Sequence, residues 1–197
     1  MNQKKTLLII ILALVLLIGG ASILYTQLGG QVESQQLAVK EPVVPETTQS
    51  GTEETTEPEQ IKAPDFTVYD IDGQEVRLRD YMGKPIVMNF WASWCGPCQM
   101  EMPDFQEKYL ELGEEVTFLM INMTDGVRET VDVASAFIKE KGYTFPVFYD
   151  TASEAAIAYG VYSLPTTYFL DAEGRPIAQA TGAISAETLQ RGIDMIE

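Results

Sequence analysis

The stretch Pro85-Ile86-Val87-Met88-Asn89-Phe90-Trp91-Ala92-Ser93-Trp94-Cys95-Gly96-Pro97-Cys98-Gln99-Met100-Glu101-Met102-Pro103 decides the fold. An apolar run ends at a Gly-Pro turn and passes into a mixture of polar and apolar residues at helical spacing, the pattern of a buried strand feeding a helix. Both cysteines of the chain sit at that junction. A helix N-terminus carries unpaired N–H groups and the positive end of the macrodipole, and so stabilises an anion. Here the anion on offer is a thiolate. Cys95 falls at the start of the helix, Pro97 suits an early helical position, and Cys98 lies three residues on, within reach of the Cys95 sulfur.

Two other uses of the pair are weaker. As a structural staple, a disulfide closing so short a loop removes only about 2 kcal/mol of unfolded-state entropy. As part of a metal site it lacks partners, because the chain has no histidine and no third cysteine. A reversible dithiol/disulfide is the expected chemistry, with no metal and no cofactor beyond the Cys95–Cys98 disulfide itself.

Composition narrows the rest. The chain has 197 residues, an apolar fraction of 46% and a net charge of −16. That suffices for one core and repels phosphate backbones, so nucleic acid is not an expected partner. No glycine-rich dinucleotide fingerprint or phosphate loop is present, so electrons must come from another protein.

Outward from the central stretch, three regions emerge. Lys4 and Lys5 precede twelve consecutive apolar residues, Leu7 to Ile18, and the apolar character continues to Leu28. A helix over Thr6–Leu28 would cover about 34 Å, enough for a bilayer core. The lysines place its start inside the cell and the remainder outside. Residues 1–28 are therefore expected to be an uncleaved membrane anchor, the alternative being a cleaved signal peptide. Residues 29–61, rich in Glu, Thr, Pro and Gln and without an aromatic residue, read as a solvated tether with a span of roughly 30–35 Å. Residues 62–197 carry the globular pattern.

Within that domain the spacing predicts a hairpin of Asp65–Asp70 and Glu75–Leu78 across Asp72-Gly73, then the Pro85–Trp91 strand and a helix to Leu112. There follow a strand over Val116–Met123, a helix over Val127–Lys141 and a strand over Pro146–Tyr149. A short helix over Ala152–Tyr159, a hairpin of Thr166–Leu170 and Pro176–Ala180, and a last helix over Ala186–Ile196 complete it. The fold class is α/β, a mixed sheet with helices on both faces.

Trp94-Cys95-Gly96-Pro97-Cys98 after an apolar strand, with Pro103 five residues later and Leu164-Pro165-Thr166-Thr167 before another strand, resembles the thioredoxin fold over residues 62–197. Ala63-Pro64-Asp65-Phe66, the long segment 123–145 and the apolar N-terminus are similar to the TlpA/ResA branch of extracytoplasmic thioredoxin-like proteins, with an opening of the AhpC/TSA type. The resemblance implies that Pro165 is a cis-proline facing the disulfide and that the Leu164 backbone pairs with substrate. It implies a binding surface of Trp94, Gly96, Pro97, Leu164 and Pro165, and Glu101 as a proton-handling group in place of the buried aspartate of cytosolic thioredoxin, where this chain has Asn89. By geometry alone Glu101, one turn after Cys98, reads equally as an exposed helix residue. Gly96 departs from the glutamate that ResA carries between its cysteines. Trp91 and Trp94 are expected to wall the disulfide, or, in the plainer reading, to fill core.

The chain is expected to be a monomeric, membrane-tethered thiol–disulfide reductase. Its expected donor is a membrane protein of the CcdA type, and its expected substrates are exported protein disulfides such as the haem-site cysteines of apocytochrome c. Alternatives are a reductant for an extracellular methionine sulfoxide reductase, a dithiol oxidase or isomerase, or a thiol peroxidase. The non-enzyme alternative is a tethered binding module with an incidental disulfide.

Overall fold

The computed structural model describes residues 63–197 and, as backbone, the short strand 37–39. The expected anchor and nearly all of the expected tether lie outside the described residues. Three residues of the tether segment form strand β1, Leu37–Val39. Then come β2, Thr67–Tyr69, and β3, Glu75–Arg77, followed by a 3-10 turn at Leu78–Tyr81. The centre of the domain is β4, Ile86–Trp91; helix α1, Gly96–Leu112; β5, Thr117–Asn122; and α2, Val131–Lys141. The remainder is β6, Val147–Tyr149; α3, Glu154–Tyr159; β7, Thr166–Leu170; β8, Pro176–Thr181; and α4, Ala186–Asp194.

The described strands form one mixed sheet in the order β1-β8-β7-β4-β5-β6-β2-β3. β4 and β5 are parallel, with Trp91 opposite Asn122, while β4 and β7 are antiparallel, with Phe90 opposite Thr166. Side chains alternate across a strand, so each strand feeds two cores. Ile86, Met88 and Phe90 of β4 join Leu119 and Ile121 of β5 beneath α3 and the β2 hairpin. Val87 and Trp91 join Phe118 and Met120 on the opposite face, packed against Cys98, Met102 and Phe105 of α1, Ala134 of α2 and Leu189 and Ile193 of α4.

The same parity puts Asn89 of β4 and Asn122 of β5 on the α1 face, both fully buried. Polar side chains there require partners, and both find a glutamate. Trp91 is likewise buried on this face, 5.8 Å from the Phe137 ring, so it fills core as in the plainer reading.

Two helices start later than the spacing predicts, α3 by two residues and α2 by four. The apolar stripe extends back to Val127, yet α2 begins at Val131, because the Thr130 hydroxyl accepts the Val133 N–H at 3.2 Å and caps the helix there. The Asp125 carboxylate folds the preceding residues into a turn by accepting the N–H groups of Val127, Arg128 and Glu129 at 2.7, 2.7 and 2.9 Å. Val127 is left 90% exposed, which removes it from the core stripe.

Candidate functional site: a dithiol between two buried glutamates

Chain leaving the C-terminal end of β4 turns at Ala92–Trp94 and enters α1 at Gly96, with Cys95 as the N-cap residue. Cys95 and Cys98 are joined, with the sulfurs 2.07 Å and the Cα atoms 5.3 Å apart. The Cys98 N–H donates to the Cys95 sulfur at 3.2 Å. That places the sulfur of Cys95 where a capping oxygen would sit, and the first turn of α1 holds no acidic side chain to compete with a thiolate. The two cysteines differ in access. Cys95, itself only 3% exposed, lines an open groove of about 450 Å³, whereas Cys98 is fully buried and is not among the lining residues.

Glu101 follows Cys98 by three residues on the inner face of α1 and is only 2% exposed, which discards the exposed-residue reading. Its Oε1 accepts from Asn89 Nδ2 at 2.8 Å and its Oε2 from the Ile184 N–H at 2.9 Å. Asn89 Nδ2 also donates to Thr167 Oγ1 at 3.0 Å, so β4 and the loop before α4 meet at this carboxylate and β7 is joined to it through Asn89. Burial raises the Glu101 pKa to about 7, against the opposing pull of the hydrogen bonds from Ile184 and Asn89. A carboxyl group titrating near neutrality one turn from a buried thiol is equipped to exchange protons with it.

Glu129, which the sequence analysis does not single out, is fully buried on the β5 side of the cysteine pair. Its Oε1 accepts from the Ser93 N–H and from Asn122 Nδ2, both at 2.7 Å, and its Oε2 accepts from the Ser93 hydroxyl at 2.6 Å. It thereby ties the turn immediately before Cys95 to the end of β5. Thr130 beside it, a capping residue before an apolar run, was the available signal that the helix starts there and that Glu129 precedes it.

Of the residues expected to form the binding surface, Trp94, Gly96, Pro97 and Leu164 line the groove beside Cys95. Trp94 is 43% exposed with the Arg128 guanidinium over its ring, 4.1 Å from the centroid. The Leu164–Pro165 bond is cis, and among the described residues no backbone hydrogen bond engages the N–H or C=O of Leu164. A Cβ built on Gly96 would meet nothing within 4 Å, so the backbone leaves room for a side chain between the cysteines. No cluster of metal-ligating side chains occurs among the described residues.

Comparison with known proteins agrees with this arrangement. Residues 60–176 match the model of the AhpC/TSA family. The thiol-disulfide oxidoreductase ResA of Bacillus thuringiensis subsp. konkukian is 36% identical over 138 residues, which span 68% of this chain and 76% of that protein. Among solved structures, the pneumococcal exposed lipoprotein thioredoxin Etrx1 of Streptococcus pneumoniae superposes with a TM-score of 0.57 at 31% identity, covering 66% of this chain and 98% of the other. StoA from Bacillus subtilis does so with a TM-score of 0.58 at 27% identity, covering 66% and 97%.

Proposed function

Since the chain belongs to the AhpC/TSA family and within it to the ResA-like thiol–disulfide oxidoreductases, we propose that it works as a reductant of exported protein disulfides, held at the outer face of the cell membrane by residues 1–28. The observation that carries this reading is the asymmetry of the dithiol: Cys95 caps α1 and opens on the groove, while Cys98 is buried one turn from Glu101. In the reduced protein the Cys95 thiolate attacks a substrate sulfur. The substrate disulfide breaks, a mixed disulfide forms, and one substrate thiolate leaves. Cys98 gives its proton to Glu101 and attacks the Cys95 sulfur, which closes the Cys95–Cys98 disulfide and releases the second substrate thiolate. Two electrons pass from the dithiol to the substrate, and the substrate thiolates take up the protons that the two cysteines have lost.

Several features support the direction and the place. A Gly-Pro dipeptide between the cysteines is that of thioredoxin, which lies at the reducing end of the range at about −270 mV. The apolar run at Leu7–Ile18 behind Lys4 and Lys5 has the form of an anchor that exports the C-terminal remainder of the chain. A donor of the CcdA type within the membrane would return the pair of electrons, and the haem-site cysteines of an apocytochrome c would be the substrate. The tether confines the domain near such partners and raises their effective concentration.

Cys98→Ser in cells tests the proposal. It is expected to strand mixed disulfides on Cys95 with exported proteins whose cysteines remain oxidised when the chain is deleted. If those cysteines instead accumulate as thiols in the deletion, the protein is an oxidase and the proposed direction is wrong.

A further inference from the structure

The exchange chemistry uses the sulfurs and Glu101 but leaves one charge of the groove without a role. Trp94 and Pro97 on one side and Tyr162 and Leu164 on the other give the groove an apolar lining, and Asp125 is the single charged side chain among its described lining residues. Tyr162 is 98% exposed, so this surface is open to a partner. The carboxylate of Asp125 is held by its own turn. All three N–H groups that it accepts bind Oδ1, and these bonds, led by that from Glu129, keep its pKa below the usual carboxylate range. It is therefore ionised at any physiological pH, and among the described residues Oδ2 has no hydrogen-bond or ion-pair partner. The Arg128 guanidinium, the neighbouring cation, lies over the Trp94 ring and forms no direct ion pair with Asp125, acting on it only through its field.

We infer that this groove selects polypeptide disulfides with a basic side chain close to the attacked cysteine, and that Asp125 is the specificity-determining residue. A substrate strand added along the free backbone of Leu164 would alternate its side chains, bringing some flanking the cysteine into the groove. The apolar walls accept an aliphatic or aromatic neighbour, and Asp125 attracts lysine or arginine while repelling glutamate. The net charge of −16 acts in the same sense at longer range, steering basic segments toward the protein. Bond-making is unchanged: the Cys95–substrate bond forms as one S–S bond breaks. The inference rests on thiol–disulfide exchange at Cys95, which both directions of electron flow share.

The test uses the full chain in mild detergent and a set of disulfide peptides with Lys, Gln or Glu placed in turn at each of the three positions on either side of the attacked cysteine. At one or more positions lysine should be favoured over glutamate by roughly 5–20-fold in kcat/KM at low ionic strength, through KM, and by less than about twofold in about 0.5 M salt. Asp125→Asn keeps an oxygen for the three N–H groups and should bring the lysine and glutamate peptides within about twofold of each other. Asp125→Ser, whose hydroxyl can hold a similar turn, gives the same reading if the asparagine variant does not fold. A lysine-to-glutamate ratio that stays within twofold at every position, or that survives in both variants, overturns the inference. The same peptides offered as dithiols to the oxidised protein separate the two claims. Fast oxidation and slow reduction, with the lysine preference intact, would overturn the proposed direction of electron flow and support the groove assignment.

Discussion

Two asparagines in neighbouring parallel strands each meet a buried glutamate, and the two pairs do different work. Asn122 in β5 donates to Glu129, which also takes the N–H and hydroxyl of Ser93; all three bonds are 2.7 Å or shorter. Asn89 in β4 donates to Glu101, whose only other donor among the described residues is the Ile184 N–H. Two donors do not offset burial at Glu101, and its pKa rises to about 7. The surroundings of a buried carboxylate thus decide its use: on the β5 side it fastens the turn that carries Trp94 and Cys95, and on the β4 side it titrates beside Cys98.

The contrast breaks most visibly at Glu129. Glu129→Ala would leave three donors without their acceptor and open a cavity, so stability should fall by about 3–5 kcal/mol. Urea unfolding of the oxidised protein measures this, and a loss below about 1 kcal/mol would mean that Glu129 is not the fastener described.

A smaller effect sharpens the other half. In the unfolded chain Glu101 has its ordinary pKa of 4.5, and in the folded protein it titrates near 7. Between these values the folded state holds a proton that the unfolded state has released, so stability falls as pH rises through the window. Below about pH 4.5 both states are protonated and the contribution is flat. The whole loss, about 3 kcal/mol for a shift of this size, is complete just above pH 7. The difference between wild type and Glu101→Gln, measured by unfolding from pH 4 to pH 8, should isolate it from other titrating groups. A difference that does not vary with pH would place Glu101 with the anchoring carboxylates.

Much of this frame was legible in the chain. The apolar run of β4, the Gly-Pro turn between the cysteines and the Gly174 turn between β7 and β8 are local signals, and the structure places those elements within a residue or two of their expected bounds. The positions of Trp94, Gly96, Pro97 and Leu164 around one groove followed from a resemblance and not from spacing. The features that escaped depend on tertiary contact. Helical spacing put Glu101 on the face of Cys98 but could not tell whether that face meets the sheet; strand parity, which aims Asn89 at α1, settles it. Glu129 was hidden because the apolar stripe runs back to Val127, whereas the Asp125 turn and the Thr130 cap start the helix after it. β1 escaped because Leu37–Val39 lies within a segment too polar to bury a core, and an edge strand needs only backbone pairing with β8.

Proton transfer from Cys98 to Glu101 is tested most directly by the two kinetic steps of exchange in Glu101→Gln. Trp94 at the groove and Trp91 in the core behind the dithiol provide the fluorescence, and stopped-flow mixing of the reduced protein with a disulfide peptide at neutral pH resolves attack by Cys95 from closure by Cys98. Glutamine keeps an acceptor oxygen but cannot take a proton, so attack should proceed at the wild-type rate while closure slows about 10²-fold, the low end for loss of a general base. Equal closure rates in the two proteins would contradict that proton transfer.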